Sequence, residues 1–97
     1  MHIGAAQLTF RLRGNHSLKG KRQVSRSLIA KLRQRFNVAV AEVDGVDQHQ
    51  TLVIGITCVS NHPGHADEMI DAALKFVDAQ HMDAELVGVE RDVIGGP

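Results

Sequence analysis

The chain of 97 residues contains one cysteine, no tryptophan, no tyrosine and only three phenylalanines. A single Cys58 excludes an internal disulfide, and its place in an apolar, strand-like run marks a buried, unreactive thiol kept in a reducing compartment. Phe10, Phe36 and Phe76 all fall at positions that face a core, which leaves no aromatic platform on which bases could stack. No stretch approaches the ~20 apolar residues of a membrane span, and the N-terminal run MHIGAAQLTFRLR lacks a basic leader ahead of an export-length apolar segment. A cytoplasmic protein without membrane contact is the expectation. There are two prolines, no low-complexity stretch and no linker, so one domain over 1–94 with a flexible tail over 95–97 is expected.

The formal net charge is zero, but the charges are segregated. Residues 1–35 hold nine of the 11 basic residues and no acid, while residues 36–97 hold all 11 acids and only Lys75 and Arg91. The molecule is therefore dipolar, with a local field that the sum conceals.

Most of the positive charge lies in Ser17 to Asn37, SLKGKRQVSRSLIAKLRQRFN. Val24, Leu28, Leu32 and Phe36 recur every four residues with Ile29 beside them, which predicts an amphipathic helix with one buried face. At 100° per residue, Lys19, Arg22, Arg26 and Arg33 fall within a sector of about 60° next to that face. Ser17 suits the N-cap and Asn37, in a left-handed conformation, the C-terminal stop. Gly20 stands where a capping box would want Glu or Gln.

The rest of the chain reads as strands and one more helix. His2 to Arg13 ends in a clear alternation, Leu8, Phe10 and Leu12 against Gln7, Thr9, Arg11 and Arg13. Val38 to Val43 and Gln50 to Ser60 predict two further strands, the latter with Leu52, Ile54, Ile56 and Cys58 on its bulkier side. A second helix runs from Pro63 to about Gln80 with Ala66, Met69, Ile70, Ala73 and Val77 buried, and with Asp67 and Glu68 in its first turn. Ala84 to Ile94 is the last strand. The order β-α-β-β-α-β with right-handed crossovers is an α+β, ferredoxin-like fold, a four-stranded antiparallel sheet with two helices on one face.

HSLKGKRQV…FNVAVAEVD and IGITCVSN resemble the bacterial YlxP-like family, a small cytoplasmic domain of unknown function, over nearly the whole length. The family's usual Glu is replaced by Gly20. The resemblance implies a ferredoxin-like fold and no recognised catalytic residues. Family genes commonly sit beside those of transcription and translation factors, including a ribosome-binding factor, which implies an RNA or ribosome role.

Two surfaces are candidates for function. The first is a phosphate-binding face made of Lys19, Lys21, Arg22, Arg26 and Arg33, with Arg11 and Arg13 nearby. Lys19, Lys21 and Arg22 sit at the positive end of the helix, where cations are electrostatically misplaced, and no acid within the helix pairs with them. The competing reading pairs this face with an acidic stripe, Asp67, Asp71 and Asp78, on the second helix. The second surface is the open side of the sheet, where Val53, Gly55, Thr57 and Val59 lie beside Gln7 and Thr9 as a partner interface suited to a homodimer.

The expected function is thus a non-enzymatic domain that binds structured RNA or the ribosome; the alternative is a protein-binding or homodimeric module. An acylphosphatase-like enzyme would use the Arg13-Gly14-Asn15-His16-Ser17 loop, but its Gly-x-Val-x-Gly-x-x-x-Arg pattern is missing. His62 and His65, even joined by His16 or His49, are too few and too loosely spaced to imply a metal. No cofactor is implied.

Overall fold

The computed structural model describes residues 1–97. Its elements are β1 (His2–Arg11), α1 (Leu18–Arg35), β2 (Ala39–Asp44), β3 (Thr51–Ser60), α2 (Pro63–Asp78) and β4 (Glu85–Gly95). They form one sheet in the order β2-β3-β1-β4, with β1 antiparallel to both β3 and β4, and β2 antiparallel to β3. This is the ferredoxin-like α+β arrangement, in which the βαβ unit is split by β3.

Alternation along the strands decides which face the helices cover. Leu8 and Phe10 of β1 and Leu52, Ile54 and Ile56 of β3 are almost wholly buried against Leu28 and Leu32 of α1 and Ile70, Ala73 and Val77 of α2. Cys58 belongs to the same layer. Truncating a side chain such as Ile54 to Ala removes contacts on every side and costs about 2–5 kcal/mol.

The Ser17 hydroxyl caps α1 by accepting from the Gly20 amide at 3.0 Å. Gly20 has a packing reason: a β-carbon there would run into the Asn15 side-chain oxygen. Asn15 in turn donates to the carbonyls of Ser17 at 2.8 Å and His49 at 2.6 Å. Asn15 thereby ties the helix start to the β2–β3 connection.

The far end of α1 differs from expectation. Phe36 is the C-cap, in an extended conformation, with its amide on the Leu32 carbonyl, and no non-glycine residue has a positive φ. Asn37 is therefore not the left-handed stop. Instead the Phe36 ring meets Phe76 of α2 edge-on at 5.6 Å between centroids, and this contact turns the chain out of the helix.

His62 caps α2, its Nδ1 accepting from the Gly64 amide at 3.0 Å. Because Pro63 opens the helix, Asp67 and Glu68 lie beyond its first turn, which holds no acid. Imidazole is a less common cap than Asp or Asn. His62→Ala should cost about 1 kcal/mol and His62→Asp should restore or exceed wild-type stability, as urea unfolding would show; equal stability of His62→Ala and wild type would refute the capping role.

No helix is long and apolar enough to cross a membrane.

Candidate nucleic-acid interface

The sectors of α1 have distinct surroundings. Lys21, Ser25, Leu28 and Leu32 form the buried stripe. On one flank Gln23, Val24, Ser27 and Lys31 line a groove opposite Gln80, His81 and Met82 of the α2–β4 connection. The opposite flank carries Lys19, Arg22, Arg26 and Arg33 and overhangs β2, since the Arg33 Nη2 donates to the Val40 carbonyl at 2.9 Å. At about 1.5 Å rise per residue, the row from Lys19 to Arg33 spans about 21 Å.

Lys19, Arg22 and Arg26 are exposed and take part in no ion pair: every pair in the molecule uses Arg13, Lys21, Lys75 or Arg91. Two of the three acids in the α2 stripe are spent elsewhere, and Asp78 makes no ion pair with α1. Asp67 and Asp71 both meet Arg91 of β4, at 2.9 and 3.4 Å, and Asp71 also meets Lys75 at 3.0 Å. The hydrogen bond and charge of Lys75, followed by those of Arg91, hold the Asp71 carboxyl below its ordinary pKa of 3.8. Because the folded-state value is depressed, this contribution is complete above the unfolded value and fades as pH falls through the folded one. Asp71→Asn should therefore flatten the pH dependence of stability below pH 3.8, measured by urea unfolding at several acidic pH values; an unchanged slope would contradict the assignment.

Lys21 requires a correction. It is 0% exposed and cannot touch a phosphate. Its Nζ donates to the carbonyls of Gly45 (2.7 Å), Val46 (3.2 Å) and Gln48 (2.7 Å), which uses all three protons of an ammonium. The Glu42 Oε1 lies 2.9 Å away and balances the charge without a fourth proton. Lys21 is a structural latch between α1 and the β2–β3 connection.

Arg13 is exposed but paired with Glu85 at 3.3 Å. It lines a cleft of about 560 Å³ with Arg11, Asn15, Gly20, Asp83 and Glu85. Charges of both signs face each other there, and the Asn15 amide is already spent on two carbonyls. The loop where an acylphosphatase would seat its phosphate is thus not uniformly basic, and its Asn15 side chain is not free to donate. Arg11 is exposed at the end of β1, opposite Thr51 and Glu85.

His62 and His65 are used locally. His65 Nδ1 shares a hydrogen bond with the Ser60 hydroxyl at 3.0 Å, and that hydroxyl also accepts from the His62 amide at 3.1 Å. No group of three His, Cys, Asp or Glu side chains converges as metal ligands would.

On the open side of the sheet, Gln7, Thr57 and Val59 are exposed and Thr9 is half-buried. Val53 differs from expectation: although it points to this side, it is only 7% exposed, held between Thr9 and Asp44 on the neighbouring strands. It has little surface to offer a partner. No aromatic ring stands on this face, because Phe10 is 1% exposed on the helix side and Phe36 and Phe76 pack against the core.

Fold and surface together define a small ferredoxin-like domain with an uncompensated row of cations on one helix. The chain belongs to the family described as a protein of unknown function (DUF503), which it matches over residues 3–91. It is similar to the uncharacterized protein YlxP of Bacillus subtilis (strain 168), with 29% identity over 77 residues that cover 79% of this chain and 84% of that protein.

Proposed function

We propose that this domain is a non-catalytic binder of structured RNA, associated with the ribosome, that grips backbone phosphates with Lys19, Arg22 and Arg26 of α1. The observation that carries the reading is that these three exposed cations share one flank and have no carboxylate partner. A folded chain with 11 acids could have neutralised them, and unspent charge in a row is what counterion release rewards. Arg33 adds charge at the far end of the row while anchored to β2. Without aromatics on the open sheet, recognition works through backbone geometry rather than base reading.

The test is binding to ribosomal RNA fragments and hairpins across a salt series, with wild type set against a Lys19→Glu, Arg22→Glu, Arg26→Glu variant. Three or four phosphate contacts give wild type a log–log slope of about −2 to −4. The variant should bind at least about 100-fold more weakly, at roughly 1 kcal/mol per reversed contact, while unfolding at the wild-type temperature. A wild type that ignores RNA at low salt, or a variant that binds equally, would refute the reading. Affinity for one acidic polypeptide and none for RNA would instead identify a protein-docking face.

A further inference from the structure

The open side of the sheet is built unlike a solvated face. An antiparallel sheet with one wet side places charged and polar residues there. Here the register sets out successive cross-strand rows: Val59, Ile3 and Ile94; then Ala39, Thr57, Ala5 and Asp92; then Ala41, Gly55, Gln7 and Glu90; then Asp44, Val53, Thr9 and Gly88. Within these rows the two central strands, β1 and β3, carry no charge, and the acids are confined to the edge strands, Asp44 on β2 and Glu90 and Asp92 on β4.

The face also has relief. The register shift between Glu42 and Asp44 leaves Val43 as an extra residue on β2. Its Cγ1 lies 2.8 Å from where a β-carbon on Gly55 would stand, so it leans over that glycine while remaining 51% exposed. Beside it is a depression of about 430 Å³ whose lining includes Ala5, Gln7, Gly55, Thr57 and Glu90. Val59 and Ile94 stand out at the end of the face, 62% and 48% exposed.

We infer that this face is the self-association surface of the protein, and that two copies pack sheet to sheet about a two-fold axis running along the strands between β3 and β1. Three features select a second copy. The first is area. Four strands about 4.8 Å apart and about nine residues of about 3.3 Å each give roughly 550 Å² in projection, and side-chain relief raises this toward the ~800 Å² per partner of a stable interface. A single added strand or peptide would leave most of the face wet.

The second is shape, since one face supplies both the protruding valines and a depression whose lining sets the small residues Ala5, Gly55 and Thr57 beside Glu90, Arg91 and Asp92, as a self-complementary patch requires. The third is charge. A two-fold along the strands lays β4 of one copy over β2 of the other, keeps Glu90 and Asp92 of the two copies at opposite margins, and sets Asp44 level with Gly88 rather than with either acid. An axis across the strands would stack β4 on β4 and bring like carboxylates together. The basic row of α1 lies in the other layer and stays free, so this association is independent of RNA binding.

The test is sedimentation equilibrium of the free protein over about 1–200 μM, a range chosen to bracket the weak-to-moderate dimers that interfaces of this size form. Wild type should rise from 10.6 kDa toward twice that mass. A Thr57→Glu, Val59→Glu variant should stay monomeric at the top concentration, at least about 100-fold weaker, because it sets charges in a face that must dehydrate. Both positions are exposed, so its thermal unfolding should match wild type. A Lys19→Glu variant should dimerise like wild type. A wild type that stays monomeric to 200 μM, or a Thr57→Glu, Val59→Glu variant that dimerises normally, overturns the inference.

Discussion

Lys21→Met should lower the unfolding free energy by about 3–5 kcal/mol, the usual cost of removing one partner from a buried ion pair. Methionine matches the length of the lysine stem, so little packing is lost, but three carbonyls and a carboxylate lose their cation. Glu42 has 18% of its side chain exposed, too little for water to replace the ammonium fully. The carbonyls of Gly45, Val46 and Gln48 converge on Lys21, and the loop's one internal backbone bond runs from the Gln48 amide to the Gly45 carbonyl, so the β2–β3 connection should loosen first. Urea unfolding gives the number, and hydrogen exchange at residues 45–48 gives the place. Removing both charges in a Lys21→Met, Glu42→Gln variant should cost less than the sum of the single changes. Lys19→Met, two residues away but exposed, should stay within about 0.5 kcal/mol of wild type. A loss below about 1 kcal/mol for Lys21→Met would show that the loop holds itself. In RNA-binding experiments a Lys21 variant tests folding, not phosphate contact.

The element order was legible because each segment carries one clear period. Alternation in Leu52, Ile54, Ile56 and Cys58 also assigned the faces of β3 correctly. The place of Lys21 was legible in principle and missed: it precedes Ser25, Leu28 and Leu32 by four, seven and eleven residues, the spacing of one helical stripe. A lysine in such a stripe ordinarily snorkels, and Glu42 together with the carbonyls of a loop more than 20 residues away keeps this one inside. The end of α1 was hidden for a similar reason, because the Phe36–Phe76 contact joins two helices that no local pattern relates. The acidic stripe of α2 was visible, but its partner was not. Periodicity places Asp67 and Asp71 on one face without revealing that Arg91, on the strand after the crossover, reaches them first.

Gly4→Ala should be the most damaging single methyl group in the sheet. Glycine inside a strand ordinarily weakens it, so alanine would be neutral or helpful at a roomy site. Gly4 lies where α2 crosses β1, and a β-carbon there would stand 2.9 Å from each of the Ala66 carbonyl oxygen, Cys58 Sγ and Ile70 Cγ1. Ile70 could turn only into a core that is already filled, and the Ala66 oxygen belongs to helix backbone and cannot turn away. The helix must therefore lift from the sheet, at a cost of about 1–3 kcal/mol as for other overpacked cores. Cys58→Ala in the same chain removes only one of the three obstacles and should recover a minor part of the loss. Gly95→Ala is the matched control, since nothing lies within 4 Å of its β-carbon position, and it should change stability by less than about 0.5 kcal/mol. The measurement is again denaturant unfolding, and a Gly4→Ala chain as stable as Gly95→Ala would mean that α2 does not sit this close to β1.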